Sequence, residues 1–67
     1  MNSDILAGNW QQFKGKARQF WGKLTDDDVD QVNGRIQELA GLLQKRYGYK
    51  RDEAEREIDR FLAEHED

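Results

Sequence analysis

Residues 25–48 read TDDDVDQVNGRIQELAGLLQKRYG, and their spacing decides the fold. Val29, Val32, Ile36, Leu39, Leu43 and Tyr47 follow one another at steps of three or four residues. That is the repeat of one face of an α-helix. Both ends carry matching signals. Thr25 fits an N-cap, and Asp26, Asp27 and Asp28 fill the first turn, where carboxylates favour the free amide groups and the positive end of the helix dipole. Thr25 with Asp28 has the form of a capping box, with Asp where Glu is usual. Lys45 and Arg46 occupy the last turn, and Gly48 supplies a left-handed stop. The spacing predicts one helix over 26–47.

The flanks repeat the pattern. Upstream, Trp10, Phe13, Ala17, Phe20, Trp21 and Leu24 mark one helical face, with Asn9 as cap and Gly22 as left-handed stop, so a helix is expected over 9–22. Ser3 can cap a short additional helix at 3–8. Downstream, Asp52 and Glu53 start a helix over 51–64 whose buried face is Ala54, Ile58, Phe61 and Leu62. Asp52–Arg56 and Arg60–Glu64 lie four residues apart, as helical ion pairs do. There is no proline. The fold class is therefore all-α: a small bundle of three main helices plus a short N-terminal one. Residues 1–67 form one domain, and short connections turn each helix back on its neighbour.

Composition narrows the chemistry. Charged residues make up 37% of the chain and hydrophobic ones 36%, near the boundary of disorder, so periodic placement of the apolar residues has to do the folding. No cysteine is present, which excludes a disulfide, a thiol nucleophile and a cysteine-type zinc site. Small secreted domains usually need disulfides, so the expected location is cytoplasmic. Met1-Asn2-Ser3-Asp4 has neither a basic nor an apolar leader, and no apolar run approaches the ~20 residues of a membrane span. His65 is the single histidine and Ser3 the single serine, so neither a histidine metal set nor Ser-His catalysis is expected. The three aspartates read as helix-start electrostatics rather than a cation site. The glycines are not clustered after a strand, as a phosphate-binding loop requires. The expectation is a protein that is not an enzyme, with no cofactor, metal or small-molecule substrate.

Two features of the surface remain. Lys14, Lys16, Arg18 and Lys23 make the first helix basic, although the chain carries a net charge of −3. Aromatic and basic residues interleave there, as in binders of single-stranded nucleic acid. Helical geometry separates them into an aromatic core face and a snorkelling basic rim, and the acidic total disfavours nucleic acid. Gly8, Gly15 and Gly22 are seven residues apart, as are Gly34, Gly41 and Gly48. At about 100° per residue, Gly15, Gly34 and Gly41 fall opposite the apolar stripes, where each costs ~1 kcal/mol relative to alanine. Such glycines are either tolerated softness or a smooth strip for close approach of another surface. Lys14, Gly15, Lys16, Arg18, Lys23, Gly34 and Gly41 thus form the candidate interaction surface, for a protein partner or a second copy.

Three segments, Gly8-Asn9-Trp10-Gln11-Gln12-Phe13-Lys14-Gly15-Lys16, Trp21-Gly22-Lys23-Leu24-Thr25-Asp26-Asp27-Asp28 and Arg46-Tyr47-Gly48-Tyr49-Lys50-Arg51-Asp52-Glu53-Ala54-Glu55, resemble the bacterial CsbD-like family. The tail after Phe61 departs from the pattern. The resemblance implies a cytoplasmic protein whose abundance rises in general stress. It also implies a compact four-helix arrangement of two crossed helical hairpins. It brings no catalytic or ligand-binding residues. The leading expectation is a non-enzymatic stress-response protein acting by protein contacts or as an abundant hydrophilic protectant. The alternative is weak binding of nucleic acid or an anionic surface by the basic first helix.

Overall fold

The computed structural model describes Leu6 and residues 8–65. Among these residues there are four helices and no strand: α1 (Trp10–Phe20), α2 (Asp26–Val32), α3 (Ile36–Tyr47) and α4 (Arg51–His65). Each helix packs on the next, giving the expected small all-α bundle. Of the short helix expected at 3–8, only Leu6 and Gly8 are described; both are helical, and Leu6 is buried. Ser3, its expected cap, lies outside the described residues.

The helix expected over 26–47 is two helices. The break sits at Asn33 (φ 54°) and Gly34 (φ 77°), consecutive residues in the left-handed region. Arg35 N–H donates to the Val32 carbonyl at 3.1 Å, and the Arg35 carbonyl then accepts from Leu39 N–H at 2.9 Å to start α3. Asn and Gly are the residues that tolerate this conformation at least cost. Gly34 is consequently corrected: it lies buried in a turn, not outward on a helix face. Val32 and Ile36 flank the break four residues apart, so the stripe runs across it unchanged.

The capping expectations divide. Thr25 Oγ1 accepts from Asp28 N–H and Asp28 Oδ2 from Thr25 N–H, both at 3.1 Å, completing the capping box. Gly48 closes α3 with φ 74°, its N–H donating to the Gln44 carbonyl at 2.9 Å. Gly22 does not take the left-handed role: α1 stops at Phe20, and Trp21 (φ −116°) caps it through a 2.8 Å bond from its N–H to the Ala17 carbonyl. Asn9 occupies the N-cap position of α1 without a side-chain capping bond; its carbonyl accepts from Gln12 and Phe13. On α4, Arg56 pairs with Asp52 at 3.3 Å as expected, but Arg60 pairs with Glu57 at 3.2 Å rather than with Glu64.

The core gathers around Phe61. Its ring centroid lies 5.0 Å from Trp21, 5.4 Å from Phe20 and 5.9 Å from Phe13, the last two edge-on, the geometry aromatic rings prefer. Val29, Leu39, Leu43, Ala54 and Ile58 fill the remainder. Both tryptophans are buried, as the spacing required, but their indoles differ. Trp10 Nε1–H donates to the Val29 carbonyl at 2.8 Å, tying α1 to α2, whereas Trp21 Nε1–H has no acceptor among the described residues. A buried orphan donor of this kind costs ~1–3 kcal/mol. Among the described residues, no helix is long and apolar enough to cross a membrane.

Candidate interaction surface

The basic residues of α1, and Lys23 in the turn that follows it, are engaged within the fold. Lys14 Nζ lies 3.0 Å from Asp30 Oδ1, and Arg18 Nη1 lies 2.7 Å from Asp26 Oδ1. Moving four residues forward on α1 moves four residues back on α2, so the two pairs record an antiparallel register. Lys16 sits over the Phe13 ring at 5.9 Å from its centroid, and Lys23 over Tyr47 at 5.1 Å. The four cations therefore form a rim over carboxylates and ring faces rather than an open basic patch.

α2 is held from its other side as well. Arg46 of α3 forks onto Asp28, with Nη2 2.8 Å from Oδ1 and Nε 3.0 Å from Oδ2. The Arg46 bonds, followed by the backbone bond from Thr25, lower the Asp28 pKa from 3.8 to about 2, against the opposing effect of burial.

The candidate glycines occupy three different environments. Gly15 is exposed on α1, and a Cβ added there would meet nothing within 4 Å. Gly41 is half-buried on α3 and equally open to a Cβ. With Val32, Leu42, Gln31, Glu38 and Lys45 it lines an open depression of about 280 Å³ between α2 and α3, which Asp28 also borders. Gly34 is set apart from both, in the α2–α3 turn.

A second surface, which the spacing of α1 did not point to, surrounds the turn between α3 and α4. Gly48 brings Tyr47 and Tyr49 face to face, with centroids 5.2 Å apart and planes 5° from parallel. The Tyr47 hydroxyl accepts from Lys23 N–H at 3.1 Å, tying the stack to the α1–α2 connection. Tyr49 and the side chains of Glu53, Arg56, Glu57 and Arg60 line an open groove of about 310 Å³. Desolvation raises the Tyr49 pKa above its usual value of 10.0, with Glu57, Tyr47 and Glu53 adding to the effect. Part of the signal for this surface was in the sequence: residues 45–51, KRYGYKR, supply the two tyrosines, whereas the charged side chains of the groove come from α4.

The CsbD-like family matches residues 4–56. The UPF0337 protein YjbJ of Escherichia coli O6:H1 is 50% identical over 66 residues, covering 98% of this chain and 96% of the relative. The UPF0337 protein ECA0631 of Pectobacterium atrosepticum is 49% identical over 65 residues, 97% of this chain and 94% of that protein. The YjbJ protein of Escherichia coli K12 is 53% identical over 58 residues, 87% and 84% of the two chains. With the family match spanning all of α1, α2 and α3 and reaching into α4, the chain belongs to the CsbD-like family.

Proposed function

We propose that this chain is a non-enzymatic, cytoplasmic stress-response protein of one domain that acts through contacts with other proteins. The observation that carries this reading is the pair of open glycines. Gly15 and Gly41 weaken their helices by ~1 kcal/mol each relative to alanine, and nothing among the described residues occupies the space a Cβ would take. A helix that keeps glycine on an accessible face without a packing reason is suited to close approach by another backbone. The engagement of Lys14 and Arg18 by Asp30 and Asp26 withdraws support from the alternative reading, in which the first helix binds nucleic acid or an anionic surface.

Crosslinking in stressed cells followed by affinity capture tests the proposal. The expected result is a discrete partner, or a second copy of the chain, whose recovery falls in the Gly15→Ala, Gly41→Ala double variant although that variant is more stable. A protein that captures nothing saturably, yet slows the aggregation of unrelated proteins on heating or drying with or without the substitutions, acts instead as a hydrophilic protectant. That outcome overturns the contact reading.

A further inference from the structure

The stacked tyrosines and their groove have no part in that reading. Tyr49 is half-buried and packs against the edge of the core, and the groove it also lines is chemically mixed: one aromatic side chain, two guanidinium groups and two carboxylates. The carboxylates of Glu53 and Glu57 are one helical turn apart, as are the guanidinium groups of Arg56 and Arg60, so α4 presents an acidic row beside a basic one. Lys50, adjoining Tyr49, is exposed; its backbone N–H donates to Glu53 Oε1 at 2.9 Å, while its ammonium takes no part in the ion pairs of α4. A simple anion would meet the carboxylates and a simple cation the guanidiniums. The ligand that uses every element is planar, bears a phosphate and offers amino hydrogens.

We propose that the groove of Tyr49, Glu53, Arg56, Glu57 and Arg60 binds a nucleotide unit, free or within a single strand. In this arrangement the base packs against the Tyr49 ring. Such base–aromatic contact carries much of the affinity of single-strand binders. The carboxylates accept from an exocyclic amino group, as Glu does from cytosine N4. Arg56, Arg60 and Lys50 take the phosphate. Arg56 and Arg60 already lie in exposed ion pairs with Asp52 and Glu57, and such pairs contribute little, so either guanidinium can exchange its partner for a phosphate. The net charge of −3 makes the site weak, and contact with a single phosphate gives it a shallower salt dependence than a duplex-binding surface has. The carboxylates also impose a preference: bases with an exocyclic amino group over uracil.

Titration of the isotopically labelled protein at low salt, followed by NMR, tests this. The probes are cytidine monophosphate, uridine monophosphate, inorganic phosphate and a short oligocytidylate. The expected result is saturable shifts at Tyr49, Glu53, Arg56 and Arg60 with the cytidine nucleotide, and binding of the uridine nucleotide weaker by about fivefold or more. Inorganic phosphate should not shift the Tyr49 ring resonances. Tighter binding of the oligocytidylate than of the monophosphate identifies a strand as the source; equal binding identifies the free nucleotide. Tyr49→Ala should abolish the response and Tyr49→Phe retain it. Should Tyr49→Ala unfold the chain, Arg56→Ala and Arg60→Ala, at exposed positions, should each weaken binding severalfold. Lys16→Glu on α1 should change nothing. Equal responses to both nucleotides and phosphate, a response abolished by Lys16→Glu, or no saturable shift would overturn the proposal.

Discussion

Arg46 and Asp28 are joined by two hydrogen bonds, at 2.8 and 3.0 Å, although they lie 18 residues apart and on different helices. The same carboxylate closes the capping box of α2 through Thr25. One side chain thus starts a helix and docks it onto its neighbour.

That double role makes stability depend on acid. The Asp28 pKa is lowered from 3.8 to about 2, so its contribution is complete above the unfolded value and is lost as pH falls from about 3.8 through 2. Asp28→Asn should remove about 2 kcal/mol at neutral pH, a charged hydrogen bond and part of a cap, and should flatten the pH dependence in that window. Urea denaturation of both proteins between pH 2 and 7 (roughly spanning the transition) measures this. Parallel acid profiles for the wild type and Asp28→Asn would contradict it.

The glycines should separate by backbone conformation. Alanine at Gly15 or Gly41 should stabilise the fold by about 0.5–1 kcal/mol, because each lies in a helix interior with room for a methyl group. Alanine at Gly34 or Gly48, with φ of 77° and 74°, should destabilise it by about 1 kcal/mol or more. Thermal unfolding of the four single variants reads out the sign at each position.

Reversing charge on α1 should expose its register with α2. Lys14→Glu with Arg18→Glu places glutamates opposite Asp30 and Asp26, converting two attractions into repulsions. Exposed pairs are individually worth ~0–1 kcal/mol, so a loss of about 1–2 kcal/mol is expected at low ionic strength. Adding salt should recover much of it, because the ~10 Å screening length at 0.1 M weakens exposed charges. A loss that salt leaves untouched would point to packing instead.

The two indoles should report different surroundings. Trp10→Phe leaves Trp21 as the single tryptophan emitter, buried and with no acceptor for its N–H among the described residues. Its fluorescence maximum should lie to the blue of that of the Trp21→Phe variant, whose remaining Trp10 is hydrogen bonded to Val29. The Trp21 indole proton should also exchange slowly with solvent, as buried groups that need opening of the structure do. Fast exchange at Trp21 would show that water reaches that part of the core.

The sequence foretold the core better than the breaks in the chain. Trp10, Phe13, Ala17, Val32, Leu39, Leu43, Ile58 and Phe61 all lie inside, because burial follows helical spacing and that spacing is local information. The interruption at Asn33-Gly34 escaped the same logic, since Val32 and Ile36 keep a four-residue step across it. The Asn-Gly pair itself was the available signal, being a strong turn dipeptide. The candidate surface was less legible. Lys14 and Arg18 are recognisable as basic, but their bonds to Asp30 and Asp26 depend on how α1 and α2 fold back on each other. The stacking of Tyr47 on Tyr49 depends on the left-handed Gly48, which spacing alone treats only as an endpoint.

α2 is only seven residues long, too short to hold its own conformation in water, where isolated helices below ~12 residues are marginal. It persists because Val29 and Val32 are buried in the core, Trp10 holds the Val29 carbonyl from one flank beside Lys14 and Arg18, and Arg46 holds Asp28 from the other. The segment is thus a keystone between two arms. Detaching either arm removes its support, so the protein should melt as one unit and a fragment lacking α1 should not keep the rest in shape.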